Sequence, residues 1–398
     1  MHQSAASAFC TRERLRRFAV CAALAASVFA SVLLLSRASG GGLDFFGNPL
    51  FADFAQIHLA SQIVADGKTG ELYQQKEFFL TTNRLLENTG YYSLYPPVTG
   101  YLFLPFSPLH YQWAAWIFFF LNLLLAWWLC RDITGHLIPD KNDAALAAWM
   151  FWGSFPVWRT LLFGQNSFLS LAFVWCFYRC RERYPLAGGL ALSLGLFKPQ
   201  LFIGLWLWAM LFGSMKVRGG LLLGLTAGWA VPSFFGGGGI WIEWVKSVTA
   251  LTPTMKDDLH LMHSLHHAWL LLFGSCMFPV VEKIIFVFAA IFFLAVLLRM
   301  RLDMRRDEPA SMGWALLGTI VLSPRIFQYD LVLLCPLLAG LWARKAYFVH
   351  ARFWVVSAYF CFWLHEVAGR VHLPVPTVLG IAGFCYWGQR ILREKKQE

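Results

Sequence analysis

Residues 188–208 read GGLALSLGLFKPQLFIGLWLW, so two apolar runs flank a single lysine, Lys198. A cation placed between two membrane spans costs free energy and therefore tends to be functional. The alternative is a structural lysine whose long side chain reaches to the membrane surface. The stretch predicts two short spans that meet at Lys198, at the edge of a bilayer.

The whole composition indicates a membrane protein. Of the 398 residues, 58% are hydrophobic and 14% are charged, whereas a soluble domain is about 25% charged. Mean hydropathy is +0.55. The net charge of +11 does not predict nucleic-acid binding, because the basic residues cluster in short loops between apolar runs. The nine cysteines form no CxxC pair, so no cofactor is predicted, and a role for a divalent metal stays open.

The apolar runs predict an all-α fold of about 12 transmembrane helices, within one integral membrane domain that spans residues 1–398. They lie near 18–36, 109–130, 144–162, 165–179, 186–198, 199–214, 219–235, 282–299, 312–323, 328–343, 350–366 and 374–391. Four arginines precede the first run, and nearly every later basic cluster falls on the same side. This distribution predicts that both termini are cytoplasmic.

Two long connections face outward in this topology, and connections longer than about 15 residues are usually functional. The first, residues 38–108, contains a predicted amphipathic helix on the membrane surface. Asp53 stands at its start and Gly67 just past its end, where an N-cap and a C-cap belong. The second connection, residues 236–281, ends in a short apolar segment that we interpret as re-entrant or interfacial.

The unusual polar motifs all fall on the outer side of this topology. They are Asp44, Asp53, YYSLYPP (91–97), FGQNSF (163–168), FKPQ (197–200) and SPRIFQYD (323–330). Although they are far apart in sequence, they reach the same membrane leaflet. We therefore expect one site built from several segments.

Each carboxylate and amide in these motifs has a structural and a functional interpretation. Asp53 either caps its helix or serves as a general base among aromatic residues. Asp44 is either an ordinary loop residue or a group that orients the acceptor. Tyr95 either belongs to a rigid YPP turn or walls a ligand site. Gln165 and Asn166 form either a hydrogen-bonding patch at a helix start or contacts between helices.

The outward cations favour a phosphate ligand. Lys198 would bind it directly, and Arg325 either does the same or pairs with Asp330. The four histidines at 260, 263, 266 and 267 are spaced as on a helix, but a loop that contacts lipid or sugar is the better interpretation than a metal site. A base, two cations and aromatic walls suit a lipid-linked sugar phosphate.

At these residues the chain resembles glycosyltransferase family 87, a membrane family of the GT-C type. The resemblance extends over residues 42–387, and its marks are Asp53-Phe54, Gly70 and Tyr73, YPP (95–97), Pro105, GQN (164–166), AGG (187–189), KPQ (198–200) and the SP pair at 323–324. Mannosyltransferase members carry a histidine in the late SP motif. This chain has Tyr329 and Asp330 there instead, which puts mannose in question.

The resemblance implies a bacterial cytoplasmic-membrane enzyme of the cell envelope. It would move a sugar from a polyprenyl-phosphate donor to a glycan or lipid acceptor on the extracytoplasmic face, with Asp53 as the general base. The expected substrate contacts are Asp44, Tyr95, Gln165, Asn166, Lys198, Gln200, Arg325, Tyr329 and Asp330. Two alternatives stay open: a transporter or flippase for a lipid-linked glycan, and a structural subunit without chemistry.

Overall fold

A computed structural model of the chain describes residues 12–38, 51–86, 90–251, 262–273, 279–302, 308–323, 325–343, 355–361 and 374–393. Over these ranges the regular secondary structure is helical, and the β-structure described there is one isolated bridge between Met262 and Phe327. The predicted all-α class is confirmed.

The described helices are numbered in chain order. They are α1 (Arg12–Ala38), α2 (Ala52–Ala65), α3 (Gln75–Leu85), α4 (Val98–Leu102), α5 (Tyr111–Leu137), α6 (Lys141–Trp152), α7 (Phe155–Phe163), α8 (Ser167–Cys180), α9 (Pro185–Ser193), α10 (Ile203–Phe212), α11 (Met215–Gly236), α12 (Ile240–Leu251), α13 (Leu265–Phe273), α14 (Pro279–Leu302), α15 (Glu308–Leu322), α16 (Cys335–Ala343), α17 (355–361) and α18 (Val375–Arg393). Single 3-10 turns join several of them, at Thr69–Glu71, Leu104–Phe106, Leu194–Phe197, Pro199–Leu201 and Gln328–Leu334.

Four of the described helices, α1, α5, α11 and α14, are long and apolar enough to cross a bilayer. Helices α7 and α8 meet that test together, but they are bent by 118° at the break between them. The chain is therefore an all-helical membrane protein. The count of about 12 spans, the side of each terminus and the re-entrant segment stay predictions.

Helix α2 forms where the sequence predicts it, but the prediction of an amphipathic surface helix is wrong. Eleven of its 14 residues are buried, because α3, α4, α5 and α7 pack around it. Asp53 is not the N-cap either. The N-cap is Phe51, whose backbone is left-handed at φ 59°, and no side chain caps the helix there. At the other end Gly67 has φ 74°, which confirms the predicted glycine stop.

Helices α9 and α11 pack closely together and fix the turn that carries Lys198. A Cβ atom added to Gly189 would lie 2.1 Å from the carbonyl oxygen of Val217, and one added to Gly220 would lie 2.2 Å from that of Leu186. Small residues allow this approach of two backbones inside a membrane. Because Leu194–Phe197 continues from α9 into Lys198, the packing of α9 against α11 positions the lysine.

We predict that Gly220→Ala destabilises the protein and that Gly219→Ala does not. The added methyl group at Gly220 must push α9 away, at a cost of about 1–3 kcal/mol. Gly219 is exposed, with open space where its methyl group would lie, so alanine there adds helix propensity of about 0.5–1 kcal/mol. Thermal unfolding of both variants in detergent tests this. Equal melting temperatures would show that the close contact carries no stability.

Candidate active site

Gln165 stands at the centre of a buried polar network, at the bend between α7 and α8. Its Nε2 donates to Asp53 Oδ2 at 2.6 Å. Its Oε1 accepts from Lys198 Nζ at 3.1 Å and from the hydroxyl of Tyr95 at 3.2 Å. Because a lysine can only donate, the amide oxygen must face Lys198 and the amide nitrogen must face Asp53. Gln165 therefore connects Asp53 with Lys198 in one defined orientation.

The second carboxylate of the network, Asp330, is paired with Lys198. Lys198 Nζ lies 3.0 Å from Asp330 Oδ1, and the two side chains are only 5% and 3% exposed. Ser167 Oγ donates to the same oxygen at 2.7 Å, and the backbone N–H of Phe327 donates to Oδ2 at 3.4 Å. A buried ion pair is tolerated where further hydrogen bonds satisfy its remaining atoms, and these two donors do so for the carboxylate.

Two tyrosines form aromatic walls around the ammonium. Lys198 Nζ lies 5.2 Å from the ring centre of Tyr329 and 5.9 Å from that of Tyr95, within the range of a cation–π contact. Burial raises the pKa of Tyr95, and the nearby carboxylates of Asp53 and Asp330 raise it further. The Tyr95 hydroxyl therefore stays protonated and donates a hydrogen bond to Gln165. The hydroxyl of Tyr73 donates to the Tyr95 carbonyl at 2.9 Å and fixes this loop.

Two left-handed residues set the distance between Asp53 and Gln165. Phe51 has φ 59° and Gly164 has φ 65°, and each lies within two residues of one partner. The Phe51 N–H donates to the Leu162 carbonyl at 2.9 Å. A Cβ on Gly164 would meet the Cα of Phe51 and the Cβ of Phe54, each at 3.0 Å. A left-handed phenylalanine costs about 1–2 kcal/mol, and such strain concentrates at functional sites.

The fold brings most of the predicted site residues together. Those joined in the network are Asp53, Tyr95, Gln165, Lys198, Tyr329 and Asp330. Asn166 is fully buried between Gln165 and Ser167. Ser167 itself was not predicted, although it lies inside the FGQNSF motif and begins α8. The sequence did offer a sign of its role, because Ser167 follows two amide residues at the start of a helix.

Three predicted contacts are not among the described members of the network. Gln200 is half-buried in the turn after Lys198, without a described hydrogen bond to the network. Arg325 donates to the Val248 carbonyl at 3.0 Å, so its described contact is with α12. Asp44 lies outside the described residues.

Of the four histidines, His260 also lies outside the described residues. His267 Nδ1 lies 2.9 Å from Ser264 Oγ, and His266 contacts Glu282. Over the ranges that the structure describes, no group of three or more His, Cys, Asp or Glu residues is arranged to hold a metal ion. The network around Gln165, in contrast, holds a carboxylate, an ammonium, an amide and two aromatic rings in one place.

Comparison with known families shows which family the chain is related to. Residues 93–324 match the family described as Glycosyltransferase family 87. The chain belongs to glycosyltransferase family 87. It is therefore a membrane glycosyltransferase, as its resemblance to that family implied. No curated protein and no solved structure gives a significant match.

The family 87 match covers only part of the network, and it is narrower than the predicted range of 42–387. Tyr95, Gln165, Asn166, Lys198 and Gln200 lie within residues 93–324. Asp53 precedes the match, and Tyr329 and Asp330 follow it. The fold nevertheless places both carboxylates on polar groups of the matched segment, Asp53 on Gln165 and Asp330 on Lys198. The network, our candidate active site, therefore joins residues that lie before, within and after the matched segment.

We predict that the Lys198–Asp330 pair is strongly coupled in stability. Lys198→Met and Asp330→Asn each leave one buried charge without its partner, which costs about 3–5 kcal/mol. The double variant removes both charges. Its loss in free energy of unfolding should be clearly smaller than the sum of the losses in the two single variants. Glu13→Gln, in the exposed pair with Arg17, is the control and should cost less than about 0.5 kcal/mol. Denaturant unfolding in detergent measures all four variants. Additive losses would show that the two side chains do not interact.

We also predict that Gly164→Ala costs more stability than Gly67→Ala. Both glycines are left-handed, so either alanine carries the same backbone strain of about 1–2 kcal/mol. Gly67 has open space around a new Cβ, whereas Gly164 has Phe51 and Phe54 against it. The difference in melting temperature isolates this contact. Sugar transfer should fall in Gly164→Ala and not in Gly67→Ala, because only the methyl group at Gly164 pushes Asp53 and Gln165 apart.

Proposed function

We propose that this glycosyltransferase takes its sugar from a polyprenyl-phosphate donor and that Asp53 is the general base. The observation that carries the proposal is the contact of Asp53 with Gln165. The carboxylate is 9% exposed and is held at 2.6 Å by an amide whose other end binds the Lys198 ammonium. A base and a cation on opposite ends of one amide suit a reaction that removes a proton at one point and releases an anion at another.

In the proposed reaction an acceptor hydroxyl attacks the anomeric carbon of the donor sugar. Asp53 takes the proton of that hydroxyl as the new C–O bond forms. The bond from the anomeric carbon to the phosphate oxygen breaks, and its electron pair leaves with the polyprenyl phosphate. Attack from the side opposite the leaving group inverts the configuration at the anomeric carbon. Lys198 supplies positive charge to the leaving phosphate, and the rings of Tyr95 and Tyr329 flank the sugar.

The hydrogen bonds of Asp330 suit a role other than that of the base. Both oxygens of Asp330 are engaged, Oδ1 by Lys198 and Ser167 and Oδ2 by the backbone of Phe327. A carboxylate held by three donors has few lone pairs left for a substrate proton. Asp330 therefore serves as the partner that keeps Lys198 in place. Asp44 remains our candidate for orienting the acceptor or the loop.

The acceptor is a glycan or a lipid, and the reaction takes place on the extracytoplasmic face of a bacterial cytoplasmic membrane. The basic residues in alternate loops support this orientation. Arg325 and Gln200 remain our candidates for further contacts with the substrate. A transporter would also use a broken helix pair such as α7 and α8. The match to glycosyltransferase family 87 favours transfer.

We predict that Asp53→Asn reduces sugar transfer by about 100-fold or more, the low end of the share of a general base. Asparagine keeps the shape of aspartate but cannot take the proton. The measurement is transfer by purified protein in lipid, with a panel of polyprenyl-phosphate sugars as donors. The control is Asp66→Asn, an exposed residue at the end of the same helix, which should transfer like the wild type.

Two results would contradict the proposal. Transfer by Asp53→Asn at the wild-type rate would show that another group is the base. If the wild type uses no donor in the panel, the polyprenyl-phosphate proposal fails. An assay of lipid movement between leaflets would then test the flippase alternative.

A further inference from the structure

Asn166 has a buried amide whose two polar atoms find no hydrogen-bond partner among the described residues. The residue is 0% exposed, and both Oδ1 and Nδ2 are completely enclosed. Its position as the N-cap of α8 does not explain it, because its side chain makes no capping bond. The neighbouring side chains, Gln165 and Ser167, are both hydrogen-bonded into the network.

An amide buried in this way lowers stability, because it loses its bonds to water and gains none in return. Nearly all buried polar side chains in native proteins have partners, so an exception calls for a functional reason. Asn166 lies between a residue that binds Asp53 and a residue that binds Asp330. Because Asn166 adjoins both residues in the chain, a ligand at its amide would lie near the network that holds the two carboxylates and the Lys198 ammonium.

The chemistry of the amide identifies the ligand. A phosphate offers only acceptors, so it would satisfy Nδ2 and leave Oδ1 without a donor. Two neighbouring hydroxyls of a sugar offer a donor and an acceptor side by side. We propose that Asn166 is a specificity-determining residue that recognises the donor sugar, with Nδ2 donating to one ring hydroxyl and Oδ1 accepting from the next. This inference rests on the proposed function.

The test compares Asn166→Ala with the wild type in two measurements, made on the full chain in lipid. The first is the melting temperature, and the second is kcat/KM with polyprenyl-phosphate hexoses and their mono-deoxy analogues. Asn166→Leu is a second variant, whose branched apolar side chain fills the space that alanine leaves empty. The control is Asn122→Ala, since Asn122 is also buried but donates to the Phe118 carbonyl at 3.2 Å.

We expect the wild type to prefer a complete sugar over at least one deoxy analogue by about tenfold or more, since a site built for a hydroxyl rejects a substrate without it. Asn166→Ala should lose that preference together with a similar factor in kcat/KM. At least one of the two Asn166 variants should melt at or above the wild-type temperature, because the unbonded amide is gone. Asn122→Ala should keep the preference. A preference that survives in both Asn166 variants, or a lower melting temperature in both, would overturn the inference.

A binding measurement separates this inference from the proposed function. If the wild type transfers no sugar, polyprenyl-phosphate hexoses are compared with polyprenyl phosphate for the rise in melting temperature that each produces. A sugar-dependent rise that Asn166→Ala removes supports recognition by Asn166 even though the proposed transfer has failed. The absence of any sugar-dependent rise overturns the inference.

Discussion

A lysine ammonium buried in an apolar helical protein needs a carboxylate, and the rest of the site follows from the way this protein supplies one. Asp330 meets Lys198 at 3.0 Å, which requires the Gln328–Leu334 turn to pack against α7 and α8. The hydroxyl of Thr160 donates to the Pro156 carbonyl within α7 at 2.7 Å and lies 3.3 Å from the Tyr329 carbonyl, so α7 contacts that turn. With Lys198 fixed, the amide of Gln165 can point only its oxygen toward the ammonium. Its nitrogen is left for Asp53, so the ion pair determines how the proposed base is held.

Backbone conformation and close glycine contacts fix the helices that surround this network. Gly164 allows the sharp turn between α7 and α8, and Phe51 accepts a left-handed backbone so that α2 can begin against that turn. On the other side of the network, the glycine contacts between α9 and α11 fix the segment that leads into Lys198. These close approaches leave little freedom for the network to shift. Strain at Phe51 and tight packing at Gly164 are therefore part of what keeps Asp53 within 2.6 Å of Gln165.

The sequence predicts the class of fold and much of the site, but it does not predict the pairing inside that site. Hydropathy reports apolar content, so it identifies a helical membrane protein and the exceptional position of Lys198. It cannot report that Asp330, 132 residues away, is the partner of that lysine. The same limit explains the error at α2. The sequence places Phe54, Ile57 and Val64 on or near one face, but the polar Gln56, His58 and Ser61 are buried as well, because neighbouring helices surround α2. A periodic pattern shows which residues share a face and not what the face meets.

The pairing of Lys198 with Asp330 also affects how the proposed donor phosphate could bind. Members of the family that transfer mannose carry a histidine in the late motif, where this chain has Tyr329 and Asp330. Here the carboxylate neutralises the ammonium that we assign to the leaving phosphate, and Tyr329 covers it with a ring. A donor phosphate must therefore displace Asp330 from Lys198 or share the ammonium with it. Displacement would free Asp330 and Ser167 to bind hydroxyl groups at the moment the phosphate arrives. In the proposed reaction, Tyr329 and Asp330 would thus link donor binding to a change in hydrogen bonding near Asn166, where we propose that the sugar is recognised.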